Sequence, residues 1–392
     1  MDMENKIKPA RRVDEIKEYW FAGKMREVAR MNAEGLDVVS LGVGGPDRMP
    51  AVEVVDTLCE SARKDGHHTY QIASGLPELR QAMSRWYGRH YGVAVNPDTE
   101  VLPLIGSKEG VLHVSLAFLN PGDKVLVPNP GYMTYSGVSR MLGAEIVSYD
   151  LLEKNGWKPD FTQLENLASS GDIKLMWVNY PNMPTGASAD MELFRRLVDF
   201  GRRHGIVIVH DNPYSFVLND NPLSLLQVEG AKDIAIELNS LSKSHNMSGW
   251  RMGMVVSNPE FVGWVRKMKS NIDSGQFKPV MEAAVKALDL PESWYAELNA
   301  VYSSRRRVAE KIMDALGCSF DSGQKGLFLW GRLPEGASDS ATFAQRILEE
   351  ARVFLVPGFI FGSNGEGYIR ISLCATEERM QTALERIEKM KQ

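Results

Sequence analysis

Residues 175–211, LMWVNYPNMPTGASADMELFRRLVDFGRRHGIVIVHD, decide the fold. Leu175–Asn179 and Ile206–His210 are short apolar runs rich in Val, Ile and Trp, which read as buried strands. Between them Met191–Arg203 places Leu193, Phe194, Leu197, Val198 and Phe200 on one side of a helix. A strand, a crossover helix and a second strand make a parallel pair, and a parallel sheet needs helices on both faces. Working outward, Val101–Ile105, Lys124–Val127, Glu145–Tyr149 and Ala235–Leu238 have the same character, and Met252–Val256 is a seventh candidate. The expected fold class is therefore α/β: a large domain with a mostly parallel seven-stranded sheet flanked by helices.

The ends of the chain read differently. Residues 11–33 suggest one charged helix, followed by Val38–Gly42 and the loop GVGGPD. Beyond residue 290 come a long polar helix, Pro291–Leu316, and then Gly326–Gly331, Ala341–Ala351 and Tyr368–Leu373. These segments predict a smaller α+β domain from residues 1–45 and 289–392, against a large domain at 46–288.

The chain has 392 residues, 44% hydrophobic and 24% charged, with a formal net charge of −5. That mild acidity excludes a generally basic nucleic-acid binder. No apolar run approaches the roughly 18 residues that would read as a membrane-spanning helix. The opening MDMENKIKPARR has no apolar core of a secretory signal. Cys59, Cys318 and Cys374 are too scattered for a disulfide framework or a paired metal site, so a reduced, cytoplasmic setting is expected. The seven histidines show no metal-ligand spacing, and no metal is expected. His210 is expected within the sheet packing and His245 near the ligand. Gly42, Gly44 and Gly45 imitate part of a dinucleotide fingerprint, but Pro46 and Asp47 follow where a helix should open.

In such sheets ligands bind beyond the carboxyl ends of the strands. After the first strand, Gly106-Ser107-Lys108-Glu109-Gly110 opens a helix, which is either a plain Ser N-cap or an anion site of free backbone N–H groups. Asp211-Asn212-Pro213-Tyr214 is either an Asx turn or a buried carboxylate that partners a protonated ring nitrogen. After Ala235–Leu238 lies NSLSKSHNMSGWR, residues 239–251. Ser240, Ser242 and Arg251 together suit a phosphate, and Lys243 beside a second cation has a depressed pKa and a nucleophilic amine.

Ser-x-Ser-Lys followed by Gly-x-Arg, with the Arg eight residues after the Lys, resembles the cofactor signature of the class I/II, aspartate aminotransferase-like enzymes. The resemblance spans nearly the whole chain, with its motifs in the family's order. It implies that pyridoxal 5'-phosphate forms a Schiff base with Lys243. Asp211 then meets the pyridine nitrogen, Tyr214 the ring hydroxyl, and Tyr132 (in NPGYMTY) stacks on the ring. Ser107, Lys108, Ser240, Ser242 and Arg251 form the phosphate cup. Tyr70 reaches the phosphate of a dimer partner, which implies a homodimer with shared active sites. Gly44 in the N-terminal loop and Arg370 in GEGYIRISL hold the substrate, with Arg370 on the α-carboxylate. One motif departs: the family's Asn-Pro-Thr-Gly is Met183-Pro184-Thr185-Gly186 here, so Asn182, or Asn179, is expected to supply the missing amide.

The resemblance implies transfer of an amino group from an L-amino acid to a 2-oxo acid. The donor is left open among aspartate, which Lys108 would suit, diaminopimelate, methionine and aromatic amino acids. The alternative on the same scaffold is a pyridoxal phosphate lyase, such as a carbon–sulfur β-lyase. A non-catalytic binding module is disfavoured by the joint presence of Lys243, Asp211 and Arg370.

Overall fold

The computed structural model describes residues 7–16, 18 and 20–390. Its central sheet runs in the order Val101–Leu104, Gly253–Val256, Ala235–Ser240, Val207–Asp211, Ile173–Asn179, Lys124–Asn129 and Glu145–Asp150. All pairings are parallel except the two made by Gly253–Val256, which is antiparallel to both neighbours. The expected α/β class with a seven-stranded, mostly parallel sheet is what the chain forms. Strand ends shift by a residue or two. The strand expected at Ile206–His210 spans Val207–Asp211, so Asp211 is its last residue rather than the first loop residue.

The crossover helix, Met191–His204, starts where the Asp190 carboxylate accepts from the Leu193 N–H at 2.7 Å. It stops at Gly205, whose φ of 65° is the left-handed conformation that closes a helix without a Cβ penalty. Its apolar stripe, Leu193, Phe194, Leu197, Val198 and Phe200, is buried on the sheet. Burial of each such side chain stabilises the fold by about 1.5–3 kcal/mol.

Strand alternation sends His210 and Asp211 to opposite faces of the sheet. His210 stands in register with Glu237 on the neighbouring strand, and its Nδ1 lies 2.8 Å from Glu237 Oε2. Its Nε2 lies 2.9 Å from the Tyr180 carbonyl oxygen. Glu237 is fully buried and also accepts from Tyr87 O–H, Ser224 O–H and the Leu225 N–H at 2.9, 2.9 and 3.0 Å. This closed network explains how a carboxyl group tolerates the interior.

The N-terminal region differs from expectation. Instead of one helix over 11–33, Arg11–Glu15 and Trp20–Ala33 are separate, because Ile16 is extended. Lys17 and Tyr19 lie outside the described residues. Val39–Ser40 pairs in parallel with Val353–Phe354, which brings residues 39–40 against the C-terminal segment. A four-stranded antiparallel sheet follows, ordered Val356–Pro357, Tyr368–Ser372, Phe328–Arg332 and Ser319–Phe320. Helix Glu292–Leu316 delivers Arg305, which grips Asp47 bidentately at 2.6 and 2.8 Å and pins the GVGGPD loop.

Replacing Glu237 with Ala strands three buried donors and His210. We expect Glu237→Ala to lower the unfolding free energy by about 2–4 kcal/mol in urea titrations. An unchanged midpoint would show that the network contributes nothing net.

Candidate active site

Parallel pairing sets the carboxyl ends of the strands side by side. Asn179 is in register with Asp211, and Ser240 and Leu104 both oppose Gly253. A cavity of about 570 Å³ opens over this edge. At one end Ser107 begins a twelve-residue helix whose first backbone N–H groups have no partner within the helix. Ser240 O–H donates to Ser242 Oγ at 2.9 Å, and the Arg251 guanidinium donates to the Ser248 carbonyl at 2.7 Å. Gly106 has φ +76°, and a Cβ there would lie 2.1 Å from Arg251 Nη2, so only glycine lets this cation reach the turn. Lys108 adjoins it, its pKa lowered by burial and then by Arg251. Hydroxyls, N–H groups and a guanidinium make this end an anion cup.

Next to the cup Asp211 is 5% exposed. Its Oδ2 accepts from Tyr135 O–H at 2.8 Å, and Oδ1 is buried with no hydrogen-bond partner. Burial pushes its pKa up to about 6, against the opposing pull of the Tyr135 hydrogen bond and of His210. The Tyr135 ring is stacked on Trp177 at 4.8 Å and meets Tyr132 edge-on at 5.5 Å. A carboxylate oxygen held in the wall of a cavity without a donor suits a cationic N–H on a ring.

Lys243 sits in the short helix Leu241–Ser244, which Ser240 caps from the Ser242 N–H. Its ammonium donates to the Gly44 carbonyl at 2.6 Å. Burial lowers its pKa, Arg251 and Arg370 push the same way, and Cys374 opposes them. Desolvation of this kind leaves more free amine near neutral pH.

The far end is organised by Arg370, 4% exposed on strand Tyr368–Ser372. It donates to the Gly42 carbonyl at 2.7 Å and to Met183 Sδ at 3.3 Å. Its guanidinium carbon lies 3.9, 4.8 and 5.6 Å from the ring centres of Phe328, Phe361 and Phe21. A Cβ on Gly44 would lie 2.3 Å from the Phe328 ring, so the loop approaches this closely only with glycine.

Ser107, Lys108, Tyr132, Asp211, Tyr214, Ser240, Ser242, Lys243, Arg251, Gly44 and Arg370 thus line one cavity. Two expected site residues do not. Tyr70 is 92% exposed at the surface. Asn182 is turned into its own loop: its Nδ2 donates to the Asn179 carbonyl at 3.2 Å and its Oδ1 accepts from Thr185 O–H at 2.8 Å. Asn179 lines the cavity, with its Nδ2 donating to the Asp211 carbonyl at 2.7 Å and its Oδ1 accepting the Met183 N–H at 2.7 Å. Of the two amides expected to take the missing asparagine's place, Asn179 is the one at the cavity wall. His210 belongs to the sheet interior as expected. His245 bonds Ser244 and Tyr295 and does not line the cavity.

Sequence reasoning missed Tyr135, Phe21, Met25, Phe328 and Phe361 as wall residues. Phe21 and Met25 carry a usable signal, being four apart on one helix face. Tyr135 carries none, since its role depends on a strand 76 residues away. Among the described residues Glu109, His113 and Asp273 could meet at a metal ion. The buried Lys269 ammonium already bridges Glu109 and Asp273 there, which makes the group an ion network.

The class I and II aminotransferase family model matches residues 36–387, and the chain belongs to that family. LL-diaminopimelate aminotransferase of Dehalococcoides mccartyi strain 195 is 38% identical over 387 residues, 98% of this chain and 99% of the relative. The enzyme of the same name from Nitratidesulfovibrio vulgaris Miyazaki F is 40% identical over 97% of this chain and 98% of its own. Apo-BacF from Bacillus subtilis superposes with a TM-score of 0.94 at 34% identity, covering 99% of each chain. A Thermus thermophilus aspartate aminotransferase double mutant gives 0.90 at 26% identity over 98% of this chain and 100% of that one. The chain is accordingly an aminotransferase, and the lyase alternative is not favoured.

Asp211 supplies a test of the site's electrostatics in the ligand-free protein. Its folded value lies above the ordinary carboxyl range, so the native state binds the proton more tightly than the unfolded chain. The burial penalty is therefore absent at low pH, grows between about pH 4 and 6, and is complete above that. We expect Asp211→Asn to stabilise the ligand-free protein by about 1–3 kcal/mol at pH 7.5. The gain should shrink as pH falls toward 4.5 in urea titrations. A pH-independent difference would contradict the assignment.

Proposed function

We propose that the cavity binds pyridoxal 5'-phosphate and that the chain transfers amino groups between L-amino acids and 2-oxo acids through it. The observation that carries this reading is the buried, unpartnered Oδ1 of Asp211 in a cavity that also holds Lys243 and Arg370. When bound, the cofactor supplies an electron-withdrawing ring that accommodates the charge left by loss of a substrate Cα proton. Ser107, Ser240, Ser242 and Arg251 would hold its phosphate, with Lys108 close by. Asp211 would keep its ring nitrogen protonated, and Tyr132 would offer a ring face. The Lys243 amine would hold the cofactor, and as a free amine it would take the proton from the substrate Cα.

Arg370 binds the α-carboxylate and orients the Cα–H bond, while its apolar surroundings exclude water and strengthen the ion pair. The Met183 thioether cannot donate a hydrogen bond. Tyr214 would carry the ring-hydroxyl contact, with Asn179 the amide in the same cavity wall. LL-diaminopimelate, the donor in the relatives' names, is one candidate substrate. Aspartate, with Lys108 near its side chain, is another.

We expect Lys243→Ala to fold, to lose the visible absorbance band of the bound cofactor, and to lose turnover by about a thousandfold or more. Normal transamination by this variant would remove the mechanism.

We also propose a cytoplasmic homodimer with shared sites, built on a large domain at 46–288 and a small domain from 1–45 and 289–392. Tyr70 stands out at 92% exposure beside exposed Ile72 and Phe277, on a segment packed against Gly275. Gln276 in turn donates to the Arg251 carbonyl at 2.7 Å, linking that surface to the anion cup. Mixing inactive Tyr70→Ala and Lys243→Ala subunits should restore about a quarter of wild-type activity on random pairing and about half in the purified mixed dimer. No recovery in a verified mixed dimer would show that Tyr70 serves no partner site.

A further inference from the structure

We propose that Lys269, which lies behind the cavity wall, is a positioning residue that holds both sides of the anion cup. This rests on the cofactor reading above and names a group on which the cup's hold on phosphate depends. Lys269 ends helix Pro259–Lys269 and is 1% exposed. Its ammonium donates to Glu109 Oε1 at 3.2 Å and to Asp273 Oδ2.

Through Glu109 the ammonium reaches the helix that opens the cup. Glu109 Oε2 accepts the Ile105 N–H, and its Oε1 lies 2.8 Å from His113 Nε2. The carboxylate thus closes the turn from Ile105 to Glu109 on itself, and that turn carries Gly106, Ser107 and Lys108. Burial raises the pKa of Glu109, but the His113 hydrogen bond, the Lys269 charge and the Ile105 N–H outweigh it and hold the group below the usual carboxyl range.

Through Asp273 the same ammonium reaches the opposite side. Asp273 Oδ1 accepts the Gly275 N–H at 2.8 Å, and Gln276 beside it donates to the Arg251 carbonyl at 2.7 Å. Gly275 has φ +88°, and a Cβ there would lie 2.7 Å from the Ile72 carbonyl oxygen, so the loop follows this path only with glycine. One buried charge therefore stands between the turn that presents the cup's N–H groups and the loop that braces Arg251. A buried ion pair adds little net stability over an apolar substitute, so what this one supplies is geometry. A bound phosphate depends on that geometry, because its donors must converge on one set of oxygens.

The test measures binding rather than turnover. Inorganic phosphate is titrated into the cofactor-free protein by calorimetry. Pyridoxal 5'-phosphate and pyridoxal, which lacks the phosphate, are titrated by absorbance. Asp273→Asn keeps an acceptor for the Gly275 N–H and removes the charge, while Lys269→Met removes the ammonium. Each should weaken inorganic phosphate and pyridoxal 5'-phosphate about fivefold or more and leave pyridoxal within about twofold. Asp273→Asn decides alone if Lys269→Met does not fold. Equal weakening of pyridoxal and its phosphate would mark a general loss of structure and overturn the proposal. Undiminished phosphate binding by the variants overturns it as well, and leaves the cofactor reading intact. Wild-type protein that gains no affinity from the phosphate group removes the cofactor reading and this proposal together.

Discussion

The pairing of Ile173–Asn179 with Val207–Asp211 in parallel register governs the site. It sets Asn179 beside Asp211, and the Asn179 amide then ties the two strand ends together through the Asp211 carbonyl. A one-residue slip would turn Asp211 to the face where His210 and Glu237 lie and would bring His210 into the cavity. The crossover helix Met191–His204 enforces the register, because its buried stripe fits the sheet in one setting. Glu237 enforces it from the other face, since His210 and Glu237 meet only when their strands are aligned. The chemistry on one side of the sheet is thus specified by packing and polar satisfaction on the other.

Charge distribution over that edge is uneven. Four cations, Lys108, Lys243, Arg251 and Arg370, border a cavity with one carboxyl group, and the two arginines help lower the pKa of Lys243. A site of this sign attracts dianionic and carboxylate ligands and keeps its own lysine reactive. The same burial raises Asp211, so each group is least comfortable when the cavity lacks a ligand of complementary charge. Neutralisation on binding couples ligand affinity to the protonation of both.

Much of this was legible in the sequence, because the sheet strands are continuous apolar runs and chemistry follows their ends. Asp211, Ser240, Lys243 and Gly106 could be read that way, each adjoining a predicted strand. The wall around Arg370 could not. Phe21, Phe328 and Phe361 come from three distant segments that look like ordinary core, and only tertiary packing puts their rings on a guanidinium. Asn182 is turned into its own loop for a related reason: spacing gives which residue adjoins a loop, and the loop's own hydrogen bonds decide where its amide goes. The break at Ile16 leaves no local mark either, as nothing in residues 11–33 is a strong helix breaker.

The turn from Asn179 to Gly186 is held from within. Asn179 grips the backbone at Met183, Asn182 grips Thr185, and Gly186 donates its N–H back to the Asn182 carbonyl at 2.7 Å. None of these bonds uses the side chain at position 183. That side chain therefore takes no part in the hydrogen bonds that hold the loop; it is buried in the core and its sulfur meets the Arg370 guanidinium. An exchange of the thioether for an amide there leaves the loop's own hydrogen bonds in place and changes what packs on that guanidinium. The loop is thus a mount whose own bonds fix its path, and the buried group it carries sets the surface that faces Arg370.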